Sequence, residues 1–455
     1  MKARIPCAAL ALVALAATAA HADFNAALAD YKAGRYETAR RQFTAMAELG
    51  DCSSQFNLGV MVLQGQGGAK DVGGGVGWLQ AAAANGCQEL VGGRVAALKG
   101  ALSPHEERTA ADIMAHYGHE ALHAQGIVDP ELDCRERVAA TVLQSTAPEF
   151  PRELAANHRN GLVIGELTIG VDGRARDPEI LFAAPDAALV AAAIEAWLHS
   201  RFTPASRNGK PVESRLQVRQ PFNVAGGESW WSSGEYRDAR AAADAGDPAA
   251  GYLMGLAATA DPQLGIGPAR GTQLLIDAAR DGNSKAQYWL GAQLRAVAAC
   301  HPQTAGAAWL RHAAAGGDAA AQLILAADLV SASPTDAQVS EARALLERAA
   351  TNDSYYVRKH VVALLAASPI EALRDHATAQ QVAFKLALGD IQSDPQMFEA
   401  LAAAAAAGGD FAGAVSQQQT AIRKARELAW NTHAMEERLA SYRGGRAWRG
   451  DLFAP

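Results

Sequence analysis

A multidomain, mainly α chain is predicted: an α-solenoid of helix-turn-helix repeats with a small α+β domain inserted in it. Three observations lead there. Gly246, Gly282 and Gly317 stand 36 and 35 residues apart, each opening a similar stretch. Aromatic residues make up only 6% of the chain while alanine is abundant, which favours close-packed helices. Between residues 147 and 226 the period stops and strand patterning takes its place. A fixed period of this length marks stacked supersecondary units.

The N-terminus sets the compartment. Lys2 and Arg4 precede an almost wholly apolar run from Ile5 to Ala20, and Ala20-His21-Ala22 has the small-x-small form of a cleavage site. Residues 1–22 are therefore read as a signal peptide, cleaved before Asp23 and delivering the chain to the periplasm. The run is shorter than the ~20 residues of a spanning helix, so no membrane span is expected after cleavage; an uncleaved inner-membrane anchor is the alternative. The formal net charge of -7 lacks the basic surplus that nucleic acid or an anionic membrane would demand, so no nucleic-acid partner is expected. Cleavage leaves Cys52, Cys87, Cys134 and Cys300. In an oxidising compartment these permit two disulfides in any of three connectivities; the other reading is small buried residues in helix interfaces.

The first helical region is expected over 23–135 and the second over 230–368. In the second, Gly251, Gln287 and Gln322 follow the periodic glycines by five residues, and Gly255, Gly291 and Ala326 by nine. Alanine pairs precede each glycine: Ala242 and Ala243, Ala278 and Ala279, Ala313 and Ala314. Asn352 begins a weaker fourth copy. Small residues recur because paired helices must approach closely, and the glycine ends one helix before the next begins. The same register runs through Gly50, Gln55, Leu58 and Gly59, the turn Gly65-Gln66-Gly67-Gly68, Asp71, Trp78 and the Ala82-Ala83 pair. This resembles the Sel-one-like repeat of the tetratricopeptide superfamily, with Gly74 or Gly75 where that family has alanine. Residues 375–448 are similar to a tetratricopeptide repeat with a capping helix, through Ala400 to Ala407, the Gly408-Gly409-Asp410-Phe411 turn, Ala414-Val415 and Ala421-Ile422, with Arg438-Leu439, Tyr442 and Trp448 in the cap. The resemblance implies protein or peptide binding on the concave face.

The inserted domain is bounded at 140–226. Leu162 to Ile169 is β-rich, Val171-Asp172-Gly173-Arg174 is a hairpin turn signal, a strand is predicted around Glu179 to Ala183, a helix from Ala187 to Arg201, and a last strand from Leu216 to Val224. Phe150-Pro151, Gly161-x-Val163, Val171-Asp172-Gly173, Arg201-Phe202-Thr203-Pro204-Ala205, Asn208-Gly209-Lys210-Pro211-Val212 and Phe222 stand in the order and spacing of the TonB C-terminal domain, which this segment resembles over nearly its whole length. The TonB-motif residues are thus Phe150, Pro151, Gly161, Asp172, Gly173, Phe202, Pro204, Asn208, Gly209 and Pro211. The resemblance implies that the last strand is a sheet edge that takes up a strand from a partner, with an outer-membrane receptor or another envelope protein as that partner. Leu216, Gln217, Val218, Arg219, Gln220 and Phe222 are the expected partner-binding residues, and Pro221 suits an edge because proline cannot donate within a central ladder.

His119-Glu120-Ala121-Leu122-His123 is a literal H-E-x-x-H, extended by Gly126 and Asp129 to a variant zinc-protease signature. His116 lies on the same helical face, so a plain surface metal site is also open, and His116, His119 and His123 are the candidate metal ligands. The context opposes catalysis: helical repeats precede the motif where those proteases place a strand-built cleft, and no methionine follows before Met254. No metal and no other cofactor is expected. The sequence thus reads as a non-enzymatic periplasmic interaction scaffold binding by β-strand addition. A TonB-family energy transducer or accessory for outer-membrane transport is the alternative, weakened by the absence of a long proline-rich stretch, and a zinc metallohydrolase is the second alternative.

Overall fold

The computed structural model describes residues 24–130, 132, 134, 137–152, 160–184, 186–224, 233–260, 264–297, 306–331 and 333–453, so the predicted signal peptide lies outside the described residues. The first helical region holds α1 (Phe24–Lys32), α2 (Tyr36–Ala47), α3 (Cys52–Gln64), α4 (Val72–Ala82), α5 (Gln88–Val91), α6 (Arg94–Lys99), α7 (Pro104–Tyr117) and α8 (His119–Ala124). The inserted domain follows with strands β1 (Arg137–Val138), β2 (Thr141–Gln144), β3 (Gly161–Ile169) and β4 (Ala175–Ala184), helix α9 (Leu189–His199), and strands β5 (Arg201–Thr203), β6 (Ala205–Arg207), β7 (Lys210–Val212) and β8 (Ser214–Phe222). The second region runs as pairs: α10 (Gly234–Asp244) with α11 (Pro248–Ala260), α12 (Pro268–Arg280) with α13 (Ser284–Ala296), α14 (Ala307–Ala315) with α15 (Ala319–Leu329), and α16 (Asp336–Ala349) with α17 (Tyr355–Ala367). Then come α18 (His376–Ala387), α19 (Pro395–Ala407), α20 (Phe411–Glu427) and α21 (His433–Arg443).

The sequence period has a physical cause in each copy. Gly50, Gly246, Gly282 and Gly317 all have φ between 83° and 91°, the left-handed turn that closes one helix. The next residue caps the following helix: Asp51, Asp247, Asn283 and Asp318 accept from the backbone N–H of Ser54, Ala250, Ala286 and Ala321. The recurring glutamine then ties that helix back to its predecessor. Gln55, Gln287 and Gln322 each donate to the carbonyl eight residues earlier, on Ala47, Ala279 and Ala314, at 2.9, 3.0 and 3.1 Å. Four residues further on, the helices cross closely. A Cβ on Gly59, Gly255 or Gly291 would lie 3.0, 2.9 or 3.0 Å from the carbonyl oxygen of Gly75, Gly271 or Gly306. A mid-helix glycine costs roughly 1 kcal/mol against alanine; here the approach of two backbones requires it.

A disulfide joins Cys52 to Cys87 and ties α3 to the end of the next helical unit. Cys134 is also disulfide-bonded, and Cys300 lies outside the described residues. The two helical regions share one core: Leu49, Leu122 and Ile127 pack with Leu256, Leu275, Trp289 and Trp309, and the Trp309 indole donates to the Gly126 carbonyl at 3.2 Å. Trp448, expected within the capping helix, instead lies beyond α21 in a tail that returns to α17. There Gly450 N–H donates to the Ala367 carbonyl (2.8 Å) and the Phe453 ring stands 5.0 Å from that of His360.

The main sheet of the inserted domain is antiparallel, in the order β4-β3-β8. Two smaller sheets, β2-β5 and β1-β6-β7, flank it; these short strands, over residues 137–144 and 201–212, were not anticipated. The TonB-motif residues are mostly builders of this domain. Asn208 and Gly209, at φ 51° and 75°, form the two-residue turn between β6 and β7, with Pro211 opposite Ser206 in that ladder. Gly173, at φ 71°, accepts the Phe202 N–H on its carbonyl, and a Cβ there would collide with the Phe202 carbonyl oxygen. Asp172 accepts from Arg174 N–H and pairs with Arg176. Phe202 is buried in the core, and Phe150 meets Phe222 edge-on at 5.5 Å.

Candidate functional site: a sheet edge and its helical cradle

The two faces of the β4-β3-β8 sheet are set by strand alternation. Val163, Gly165, Leu167 and Ile169 point toward α9, together with Val218 and Phe222 from β8. Gly165 admits the Trp197 ring, which would lie 2.9 Å from a Cβ there. The C-terminal helices close over the same core through Ile422, Met435 and Leu439.

The opposite face carries charge and lies against α11, α13 and α17, the second helices of three of the four pairs. Glu166 and Glu179 are 3% and 5% exposed and share one cation, Arg215, whose Nη2 reaches Glu166 at 3.1 Å and Glu179 at 2.5 Å. The array completes their shells. Tyr288 on α13 donates its hydroxyl to Glu179 (2.8 Å), Gln293 donates to Glu166 (3.0 Å), and Arg215 lies over the ring of Tyr356 on α17. Gln217 donates to the Leu256 carbonyl and to the Thr259 hydroxyl on α11. Burial pushes Glu179 up to about 7; Arg215 opposes that and neighbouring Glu166 reinforces it. Two carboxylates on one guanidinium leave one of them easily protonated.

A second cluster adjoins the first. β4 carries extra residues at Asp177–Pro178 and at Leu181 relative to β3, and Asp177 sits in the left-handed region at φ 57°. This turns the Asp177 carboxylate toward α17, where Lys359 Nζ lies at 3.0 Å and His360 Nε2 at 2.6 Å. Lys359, fully buried, also meets Asp394 at 3.0 Å and donates to Gln396 at 2.9 Å. The Tyr355 hydroxyl donates to Asp394 as well (2.9 Å). Burial alone would raise Asp177, but His360, Lys359 and Arg215 outweigh it and hold the carboxyl far below its ordinary range. Burial alone would lower Lys359; Asp394 and Asp177 outweigh that and raise it.

The two sheet edges are therefore unlike. β4 is bulged, interrupted by Pro178 and covered by α17. β8 is regular, with all nine residues in register from Ile169↔Ser214 to Gly161↔Phe222, and no described strand pairs with its outer side. Pro221 sets its parity. Lacking an N–H, it can stand opposite Leu162 only as a non-hydrogen-bonded pair, so Phe222, Gln220, Val218 and Leu216 direct their N–H groups to β3. The N–H groups of Arg219, Gln217 and Arg215 then point to the outer edge, and Gln220 donates its side chain to the outward carbonyl of Pro221.

The register divides the residues expected to bind a partner into two sets. Leu216, Val218, Gln220 and Phe222 bond inward, and the side chains of Val218 and Phe222 are core. Gln217 and Arg219 present edge backbone, and Arg215, outside the expected segment, joins them. The charged residues that hold the domain in place were also missed, although Glu166 inside an apolar strand was a visible signal.

The candidate zinc ligands are not brought together. The chain breaks at Gly118 (φ −71°, ψ 160°), which ends α7 before α8 begins, so His116 and His119 do not share a helix face as expected. His116 bonds the Asp112 carbonyl at 2.7 Å, and the exposed rings of His119 and His123 are 6.4 Å apart on a six-residue helix that Leu122 anchors in the core. No group of three such side chains suited to a metal occurs among the described residues.

Residues 146–224 match the family model of the Gram-negative bacterial TonB protein C-terminal, so the inserted domain is a TonB C-terminal domain. No curated protein matches the chain. One similar solved structure is that of a protective antigen present in uropathogenic Escherichia coli strains and displaying an SLR fold, 15% identical, with a TM-score of 0.34 over 93% of this chain and 84% of that one.

Proposed function

We propose that this chain is a non-enzymatic periplasmic interaction protein in which a TonB C-terminal domain, clasped in a helical array, takes up a strand of a protein partner on the outer edge of β8. One observation carries the reading: of the two edges of the main sheet, β4 is bulged and covered while β8 is straight, in register and directs alternate N–H groups outward. Strand addition needs such an edge. The clasp also changes the expected role of the helices. Tyr288 and Gln293 on α13, and Tyr356 and Lys359 on α17, engage the chain's own domain, so the array is a holder first. The TonB C-terminal domain supports a place in the cell envelope, and the Cys52–Cys87 disulfide supports an oxidising compartment. No described helix is long and apolar enough to cross a membrane.

The test uses the full mature chain as bait in an envelope extract. Gln217→Pro deletes an outward donor and is expected to abolish capture of the partner with the fold kept, whereas Gln217→Ala, which keeps the backbone N–H, retains capture. Val218→Pro, which removes an inward donor, is expected to unfold the sheet. Unchanged capture by folded Gln217→Pro would refute strand addition.

A further inference from the structure

A cavity of about 320 Å³ opens where the start of β8 meets α13 and the β1-β6-β7 sheet. Four arginines reach its wall: Arg137, Arg207, Arg215 and Arg295. Two of them are neutralised, Arg215 by Glu166 and Glu179 and Arg295 by Asp328. Arg137 and Arg207 are different. They stand directly opposite one another in the β1–β6 ladder, an arrangement that is destabilising for like charges. Neither has an ion-pair partner among the described residues; Arg137 donates to the Ala296 carbonyl at 3.3 Å. Glu213, the carboxylate on the wall, is exposed and pairs with neither. Burial first, and then Arg207, hold the Arg137 guanidinium below its ordinary value, which is the mark of a cation lacking its counter-charge. The rest of the wall is in good part apolar, with Val212, Val297 and Ile324 among its residues. The Ser214 hydroxyl on the same wall residue set is buried and without a hydrogen-bond partner among the described residues.

We propose that this cavity binds a carboxylate carried on a short apolar body, with the carboxylate between Arg137 and Arg207 and the body against Val212, Val297 and Ile324. A planar carboxylate suits two facing guanidiniums, and an inorganic anion would leave the apolar wall unused. The site does not depend on strand addition at β8. The same chemistry is offered by a free small acid and by the terminal carboxylate of a peptide.

Calorimetric titration of the full mature chain separates these sources. The probes are hexanoate with its neutral counterpart hexanamide, and the pentapeptide Gly-Ala-Val-Ile-Leu with a free or an amidated C-terminus. At least one carboxylate is expected to saturate, its amide to bind about tenfold or more weakly, and Arg207→Gln to lose a similar factor. Arg207 is exposed, so that variant should fold, and an unchanged thermal midpoint verifies it. Saturation by hexanoate alone assigns a small acid, and saturation by the free peptide alone assigns a chain terminus. The proposal is overturned if neither carboxylate saturates, if the amides bind equally well, or if folded Arg207→Gln and Arg137→Gln both keep the wild-type affinity.

Discussion

Lys359→Met is expected to destabilise the protein by about 3–5 kcal/mol, the cost of stranding buried carboxylates by removing their shared cation. The methionine keeps most of the buried stem, so the loss is one of charge. Asp394 is fully buried and Asp177 lies at 3.0 Å, and both depend on the same ammonium. Urea unfolding measures the effect. Adding Asp177→Asn to Lys359→Met should recover part of the loss, because it removes one stranded charge. A loss below about 1 kcal/mol, or no recovery in the double variant, would show that the cluster does not hold the domain to α17.

Arg215→Met has an effect of similar size and a distinctive pH dependence. Its removal leaves Glu166 and Glu179 facing each other, hydrogen-bonded to Gln293 and Tyr288 but without their shared cation. Glu179 already titrates near 7 in the folded protein, above its ordinary value of 4.5. A carboxyl raised on folding holds its proton better when folded, so its contribution to stability is full below about 4.5 and is lost as pH rises through 7. The variant should therefore be closest to wild type near pH 5 and fall furthest behind above pH 7. Glu179→Gln in the same background should flatten that dependence. Thermal midpoints across this range decide the matter, and a pH-independent loss would point to packing alone.

Much of the architecture could be read from the chain because its causes are local. The glycine that ends a helix, the Asp or Asn that caps the next and the glutamine five residues after the glycine all lie within a few positions of one another, so periodicity exposed them. The TonB-motif residues were visible for the same reason, since Gly173 and Asn208-Gly209 answer to turn geometry. The clasp was not. Glu179 meets Tyr288 across 109 residues and Asp177 meets His360 across 183, and nothing in a repeat register marks which helix face turns inward. The parity of β8 was likewise hidden until its register against β3 placed Pro221 opposite Leu162. The break at Gly118 was missed because the apolar pattern continues through it.

The presentation of the β8 edge is tested most directly by amide hydrogen exchange at single-residue resolution in the free, full-length protein. The Gln217 and Arg215 amides, which point away from β3, should exchange much faster than Leu216 and Val218, which bond to it. The alternation should vanish when a strand-adding partner is bound, as Gln217 becomes protected. If Gln217 is as slow as Leu216 and Val218 in the free protein, the edge is already covered and β8 is not the surface this chain offers.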